Sequence, residues 1–157
     1  MPQKVVKTLK TDKIQLVRMR SPVCVSKGTP LNKVISAMQD KKRGCAVVME
    51  QEKMAGIFTE RDLLTRVLEQ GLALSTPIED VMTKNPDFLK IDASIAETIK
   101  LMSEKGHRHL PLVDHQGAIR GFVSARDIVD YLAGHFPYQI YNLPPEPRLI
   151  STAPEGA

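Results

Sequence analysis

The chain has no tryptophan, and tyrosine and phenylalanine together reach only 4% of its 157 residues. A core must therefore be assembled from Leu, Ile, Val, Ala and Met. Cysteine is almost as scarce. Cys24 and Cys45 stand 21 residues apart, neither in a C-x-x-C pair, which excludes a disulfide framework and a cysteine zinc site. Both read as small apolar residues of strands. No apolar run approaches the roughly 20 residues that cross a bilayer. The longest, residues 45–49, is strand-sized, and Met1-Pro2-Gln3-Lys4 lacks the apolar stretch of a signal peptide. These absences predict a cytoplasmic protein without a membrane partner. The length allows one ordinary domain or two very small ones and excludes a larger multidomain enzyme.

Charge is present but unevenly placed. Residues 1–20 hold six basic groups and one acid, whereas the other 137 residues hold 16 basic and 17 acidic groups. The formal net charge of +4 thus belongs to a leader, residues 1–13 above all, and a nucleic-acid partner is not expected. Lys4, Lys7, Lys10 and Lys13 recur every third residue, a spacing that winds around a helix without making a stripe.

The chain contains an internal repeat. Gly56-Ile57-Phe58-Thr59-Glu60-Arg61-Asp62 recurs as Gly121-Phe122-Val123-Ser124-Ala125-Arg126-Asp127 at an offset of 65, while Val17 and Pro22 match Val81 and Pro86 at 64. The extra residue is expected between Met102 and Pro111. Periodicity then gives each half a β-α-β-β-α plan. In the first half, residues 23–25 are extended and Thr29 N-caps a helix from Pro30, with Leu31, Val34, Ile35 and Met38 inward. Residues 45–49 and 54–58 form two strands, and a helix over 60–70 is buried through Leu63, Leu64, Val67 and Leu68. Gly71 ends it. In the second half, residues 88–91 are extended and Ser94 opens a capping box with Glu97. Ile95, Ile99 and Met102 face inward, residues 110–113 and 119–123 form strands, and 125–133 closes the unit. Halves of this size have marginal cores alone, so their sheets should pack on each other. The expected fold class is α/β (α+β), divided as leader 1–13, repeats 14–71 and 72–135, and a proline-rich tail 136–157 with Tyr138, Ile140, Tyr141 and Leu143.

The paired Gly-h-h-[Ser/Thr]-x-Arg-Asp segments carry the chemistry. Each places a hydroxyl at a helix N-cap and an aspartate at its third position, a capping box in its own right. Repetition of the arginine, which capping does not require, points further. Free N–H groups at a helix start attract phosphate, Arg61 and Arg126 would reinforce them, and a carboxylate one turn on suits vicinal ribose hydroxyls. Gly56 and Gly121 would let a ligand approach the backbone.

With Arg108-His109-Leu110-Pro111-Leu112-Val113-Asp114, these segments resemble paired cystathionine-β-synthase (CBS) domains, the Bateman module, over roughly residues 14–135. The resemblance implies two CBS repeats with a pseudo-two-fold axis and up to two clefts for AMP, ADP, ATP or S-adenosylmethionine. It implies a regulatory ligand rather than a catalytic cofactor, a homodimer, and a regulated partner protein. By position, Asp62 and Asp127 match the ribose-binding aspartate, Thr59 and Ser124 the neighbouring hydroxyl, and Arg108 and His109 a polar pair near the phosphates. The base would lie between Ile14, Gly44 and Cys45 on one side and Ile78, Leu110 and Pro111 on the other. The first repeat has Arg43-Gly44 where the second is expected to have Arg108-His109.

Two rivals come from the residues alone. A nucleotide hydrolase would need Asp62 or Asp127 as a base, and a nucleic-acid adaptor would use the basic leader. No enzyme activity and no catalytic residue are expected. His107, His109 and His115 lack the spacing of a metal site. Lys41-Lys42-Arg43 is read as complementing a helix dipole in preference to holding phosphate.

Overall fold

The computed structural model describes residues 3–137. The tail residues 138–157, expected as a solvated extension or as an arm packing Tyr138, Ile140, Tyr141 and Leu143 on a neighbouring subunit, lie outside them. Within them the architecture is mixed α+β, with two small sheets. The first repeat contains β1 (Cys24–Ser26), α2 (Leu31–Asp40), β2 (Cys45–Glu50), β3 (Lys53–Thr59) and α3 (Glu60–Asp62). The second contains β5 (Leu89–Lys90), α4 (Ile95–Lys105), β6 (His109–Val113), β7 (Ile119–Ser124) and α5 (Ala125–His135). Ahead of them, α1 (Gln3–Thr11) turns the basic leader into a helix whose Val5 and Leu9 enter the second repeat's core.

Strand order is β1-β2-β3-β4 in one sheet and β5-β6-β7 in the other. The strand β4 (Thr83–Lys84) is an exchange between halves. It lies in the second repeat, ahead of β5, but pairs antiparallel with β3 of the first, Gly56 opposite Lys84 and Ile57 opposite Thr83. The reciprocal segment, ahead of β1 in the first repeat, pairs Arg20 with Phe122 of β7 through both backbone hydrogen bonds. Each repeat is thus completed by the lead segment of the other.

The same exchange sorts the cores. Ile14, from a short 3-10 turn, is wholly buried with Ile95, Leu110, Leu112 and Val123 of the second repeat. Ile78, its counterpart, is wholly buried with Leu31, Val34, Ala46 and Phe58 of the first. A third cluster of Cys45, Val47, Ile57 and Phe122 joins the inner faces of the two sheets, as marginal half-cores require.

Several local expectations are corrected. Pro30, in extended geometry, is the N-cap of α2, and Thr29 instead donates its hydroxyl to Ser26 O. The free N–H groups of Leu31 and Asn32 are satisfied by Thr76 O and Leu74 O, so no side-chain cap is needed. The helix expected over 60–70 changes after one turn into the wide winding of Leu63–Leu68, with Glu69 N–H reaching Leu64 O. Leu64 and Leu68, expected inward, are 58% and 59% exposed while Val67 stays inside, and Val129, the counterpart of Leu64 on the regular helix α5, is exposed too. Gly71 ends the segment at φ +62°.

The extra residue of the second repeat also moves. Cys45 pairs with Thr59 as His109 pairs with Ser124, and Val47 with Ile57 as Pro111 with Phe122. The halves keep one register until the hairpin ends, so the insertion lies in the turn at 114–118. Asp114 organises that turn, accepting the N–H groups of Gln116 and Ala118 and the guanidinium of Arg120. Consequently Arg108-His109 corresponds to Gly44-Cys45, not to Arg43-Gly44.

Candidate functional site

Both strand-to-helix junctions fold as reciprocal capping boxes. Ser124 Oγ accepts Asp127 N–H while Asp127 Oδ2 accepts Ser124 N–H and O–H, and Thr59 and Asp62 repeat the arrangement. What differs is the cation on each aspartate. Arg20 crosses from the other half to grip Asp127, with Nε and Nη2 at 3.0 and 2.7 Å from Oδ1. Asp62 receives Arg66 of its own helix at 3.4 Å. Burial of Asp127 opposes its ionisation, but the Arg20 and Ser124 hydrogen bonds prevail and hold its carboxyl below the usual range.

A cleft of about 560 Å³ opens where the halves meet. It brings together Gly44, Cys45, Arg108, His109, Ser124 and Arg126 of the expected residues, with Asp127 buried behind Arg20. Arg108 O accepts the N–H of Ala125, as Gly44 O accepts that of Glu60, which fixes these positions beside the helix starts. His109 is partly buried, and burial pushes its imidazole below the ordinary value against the pull of Glu60 and Asp127.

Other expected residues lie elsewhere. Thr59, Arg61 and Asp62 belong to the first repeat's junction and do not line this cleft. Ile14, Ile78 and Leu110 are core residues, and Pro111 is buried opposite Phe122, so none of the four lines it. Ile14 also packs with Leu110, and Ile78 with the first repeat, the reverse of the expected grouping. The closeness allowed by Gly56 and Gly121 is used by the chain itself. A Cβ at 56 would stand 2.9 Å from both Met82 Cγ and Thr83 O, and one at 121 would stand 3.3 Å from Arg20 O. The exchanged segments occupy the space reserved for a ligand in the sequence reading.

Four of the cleft's cations were not singled out as site residues from the sequence: Arg18, Arg20, Lys42 and Arg43. Lys42 and Arg43 lie beyond the end of α2, where they face the cleft, so the dipole reading of that cluster is incomplete. Arg18 and Arg20 sit in the exchanged segment, and only the crossing brings them in. His107 bonds Asp87 at 2.8 Å and His115 lies 3.5 Å from Asp92, separate from His109. Among the described residues no three His, Cys, Asp or Glu side chains gather for a metal. No described helix is long and apolar enough to cross a membrane.

Two half-domains that complete each other, with a polar cleft between them, define a tandem-repeat module built around an inter-repeat pocket. The CBS domain profile matches residues 14–69 and 78–134, and the chain belongs to the CBS domain family. A CBS domain-containing protein of Arabidopsis thaliana, CBSCBSPB1, is 37% identical over 99 residues, which are 60% of this chain and 18% of that protein. The chain thus spans less than a fifth of that relative. A solved protein with CBS domains from Burkholderia ambifaria MC40-6 is 30% identical with a TM-score of 0.69, covering 83% of this chain and 93% of its own. The CBS domain protein PAE2072 of Pyrobaculum aerophilum, solved with AMP, shares the fold at a TM-score of 0.70 and 22% identity, over 78% and 99% of the two chains.

Proposed function

We propose that this chain is a regulatory module that takes an adenosine-containing ligand between its repeats and changes the activity of a partner protein. The observation that carries the reading is the cleft itself, where the start of α5, with Ser124 and Arg126, faces Gly44 and Cys45 of the other half. A helix start supplies N–H groups and positive potential for phosphate, and the related fold that holds AMP supports an adenosine ligand. A ligand that draws the halves together shifts the module by as much as it prefers the closed form.

The arrangement favours sensing over catalysis. Asp127 is committed to Ser124 and Arg20, and Asp62 to Thr59 and Arg66, so neither is a free base for hydrolysis. A cytoplasmic setting belongs to the proposal, on the free thiols of Cys24 and Cys45. So does self-association. Leu64, Leu68 and Val129 are exposed on the helical segments that close the two repeats, and the repeat offset of 65 makes Leu64 and Val129 equivalent. A second copy related by a two-fold axis would cover equivalent positions together.

The test is thermal unfolding with AMP, ADP, ATP and S-adenosylmethionine at millimolar concentration. A ligand of the native state raises the melting temperature, since it stabilises by RT ln(1 + [L]/Kd). Asp127→Ala should remove most of the ligand-induced rise. No rise with any of the four overturns the proposal, and phosphate released from ATP by the pure protein replaces it with a hydrolase.

A further inference from the structure

Six permanent cations line the inter-repeat cleft: Arg18, Arg20, Lys42, Arg43, Arg108 and Arg126. They come from four separate stretches of chain, and among the described residues the only carboxylate lining the cleft beside them is Asp130. Arg20 is paired with Asp127. Among the described residues, none of the other five forms an ion pair, although six such pairs occur elsewhere. Arg43 donates Nη1 to Lys41 O, while its Nε is shut off from solvent without any partner. A buried donor left open in this way is costly unless something accepts its hydrogen bond. Like charges concentrated around one cleft repel one another until an anion enters, a repulsion that salt screens because Arg18, Lys42, Arg108 and Arg126 are exposed.

We infer that the cleft selects adenosine polyphosphates, triphosphate above diphosphate above monophosphate, and disfavours S-adenosylmethionine. The inference rests on the adenosine reading given above. AMP brings one phosphate group, too little charge to engage five unpaired cations arriving from both halves. A triphosphate chain can reach several at once, and arginine forks suit its paired oxygens. S-adenosylmethionine carries a sulfonium and an ammonium against one carboxylate, so it adds positive charge to a site that already has an excess.

The Arg20–Asp127 pair sharpens this selection. Asp127 Oδ2 serves Ser124 and Arg20, and Oδ1 serves Arg20 twice, so the carboxylate cannot take sugar hydroxyls while Arg20 holds it. A ligand must offer Arg20 another anion in exchange. A polyphosphate in the same cleft offers one, and a cationic ligand offers none. Phosphate charge and ribose recognition are therefore coupled through a single guanidinium.

The test is calorimetric titration of the full chain with ATP, ADP, AMP, S-adenosylmethionine and inorganic tripolyphosphate, at low and high salt. The expected order is ATP, ADP, AMP, with ATP at least tenfold tighter than AMP at low salt and S-adenosylmethionine weakest. The gap should narrow as salt rises. Arg18→Gln and Lys42→Gln should each weaken ATP several-fold and AMP much less, with the melting temperature of the unliganded protein as the check on folding. AMP or S-adenosylmethionine binding as tightly as ATP overturns the inference and leaves the adenosine reading intact. Tripolyphosphate binding without any adenosine ligand overturns the adenosine reading and supports selection by phosphate charge. Absence of binding by all five overturns both.

Discussion

Arg20 and Asp127 lie 107 positions apart in sequence and 2.7 Å apart in space, one in the lead segment of the first repeat and the other at the start of the second repeat's last helix. The pair secures the crossing of the chain and occupies a carboxylate that lies buried just behind the cleft. It makes Asp127 a structural residue and, on the proposed function, a recognition residue as well.

Removing Arg20 leaves Asp127 buried with only its capping partners. Arg20→Ala should cost about 2 kcal/mol at neutral pH, below the range for a fully buried pair because Arg20 is partly exposed. The pH dependence has a definite sign. The folded-state pKa of Asp127 is depressed, so its contribution is present above the ordinary carboxylate range and disappears as pH falls through the folded value. The difference between wild type and Arg20→Ala in urea unfolding should therefore shrink on acidification below about pH 4. A difference that grows there would contradict the assignment.

His109 should give a second, separate pH effect. Burial lowers its folded-state pKa, so folding favours the neutral ring. Its contribution is complete above the ordinary histidine range near pH 6.5 and is lost as pH falls through the folded value. His109→Gln should flatten the dependence of melting temperature on pH between about 7 and 5. An unchanged slope would place the effect on another group.

The two repeat glycines should respond unequally to substitution. Gly56→Ala drives a methyl group against Met82 and the backbone carbonyl of Thr83, whereas Gly121→Ala meets Arg20 O and Met19 at 3.3 and 3.5 Å. Overpacking of the first kind costs about 1–3 kcal/mol, and the second should cost less than about 1 kcal/mol by the same reasoning. Urea midpoints of the two variants decide it, with equal losses counting against the crowded crossing at β4.

The exposed leucines give the association test. Leu64→Glu with Leu68→Glu should convert a dimer into a monomer in sedimentation equilibrium, with little loss of melting temperature at low protein concentration, since neither side chain enters a core. A wild-type chain that sediments as a monomer at tens of micromolar would remove that part of the proposal.

The repeat, its β-α-β-β-α plan and the three capping boxes were legible because local patterns carry them. Ser94-x-x-Glu97 and Ser124-x-x-Asp127 name their own hydrogen bonds, and Leu31, Val34 and Met38 mark one stripe. Less visible was anything decided by the crossing of the two lead segments. Ile14 and Ile78 are apolar in any reading, yet only the crossing assigns each to the opposite core. The cleft was half legible for the same reason. Arg108, His109, Ser124 and Arg126 lie near a recognisable motif, while Arg18 and Arg20 arrive through backbone pairing with Phe122, which no side-chain pattern announces. The wide winding at Leu63–Leu68 also escaped, because its leucines keep ordinary helical spacing until the backbone departs from it.

The lead segments that pair with the opposite repeat describe a closed exchange between two similar units. A single unit of this kind, with one lead segment and one sheet, satisfies both only by swapping with an identical copy. Joining two units in one chain makes the swap intramolecular and raises its effective concentration. It also lets the two halves differ, so that Asp127 is held by the distant Arg20 and Asp62 by Arg66 on its own helical segment.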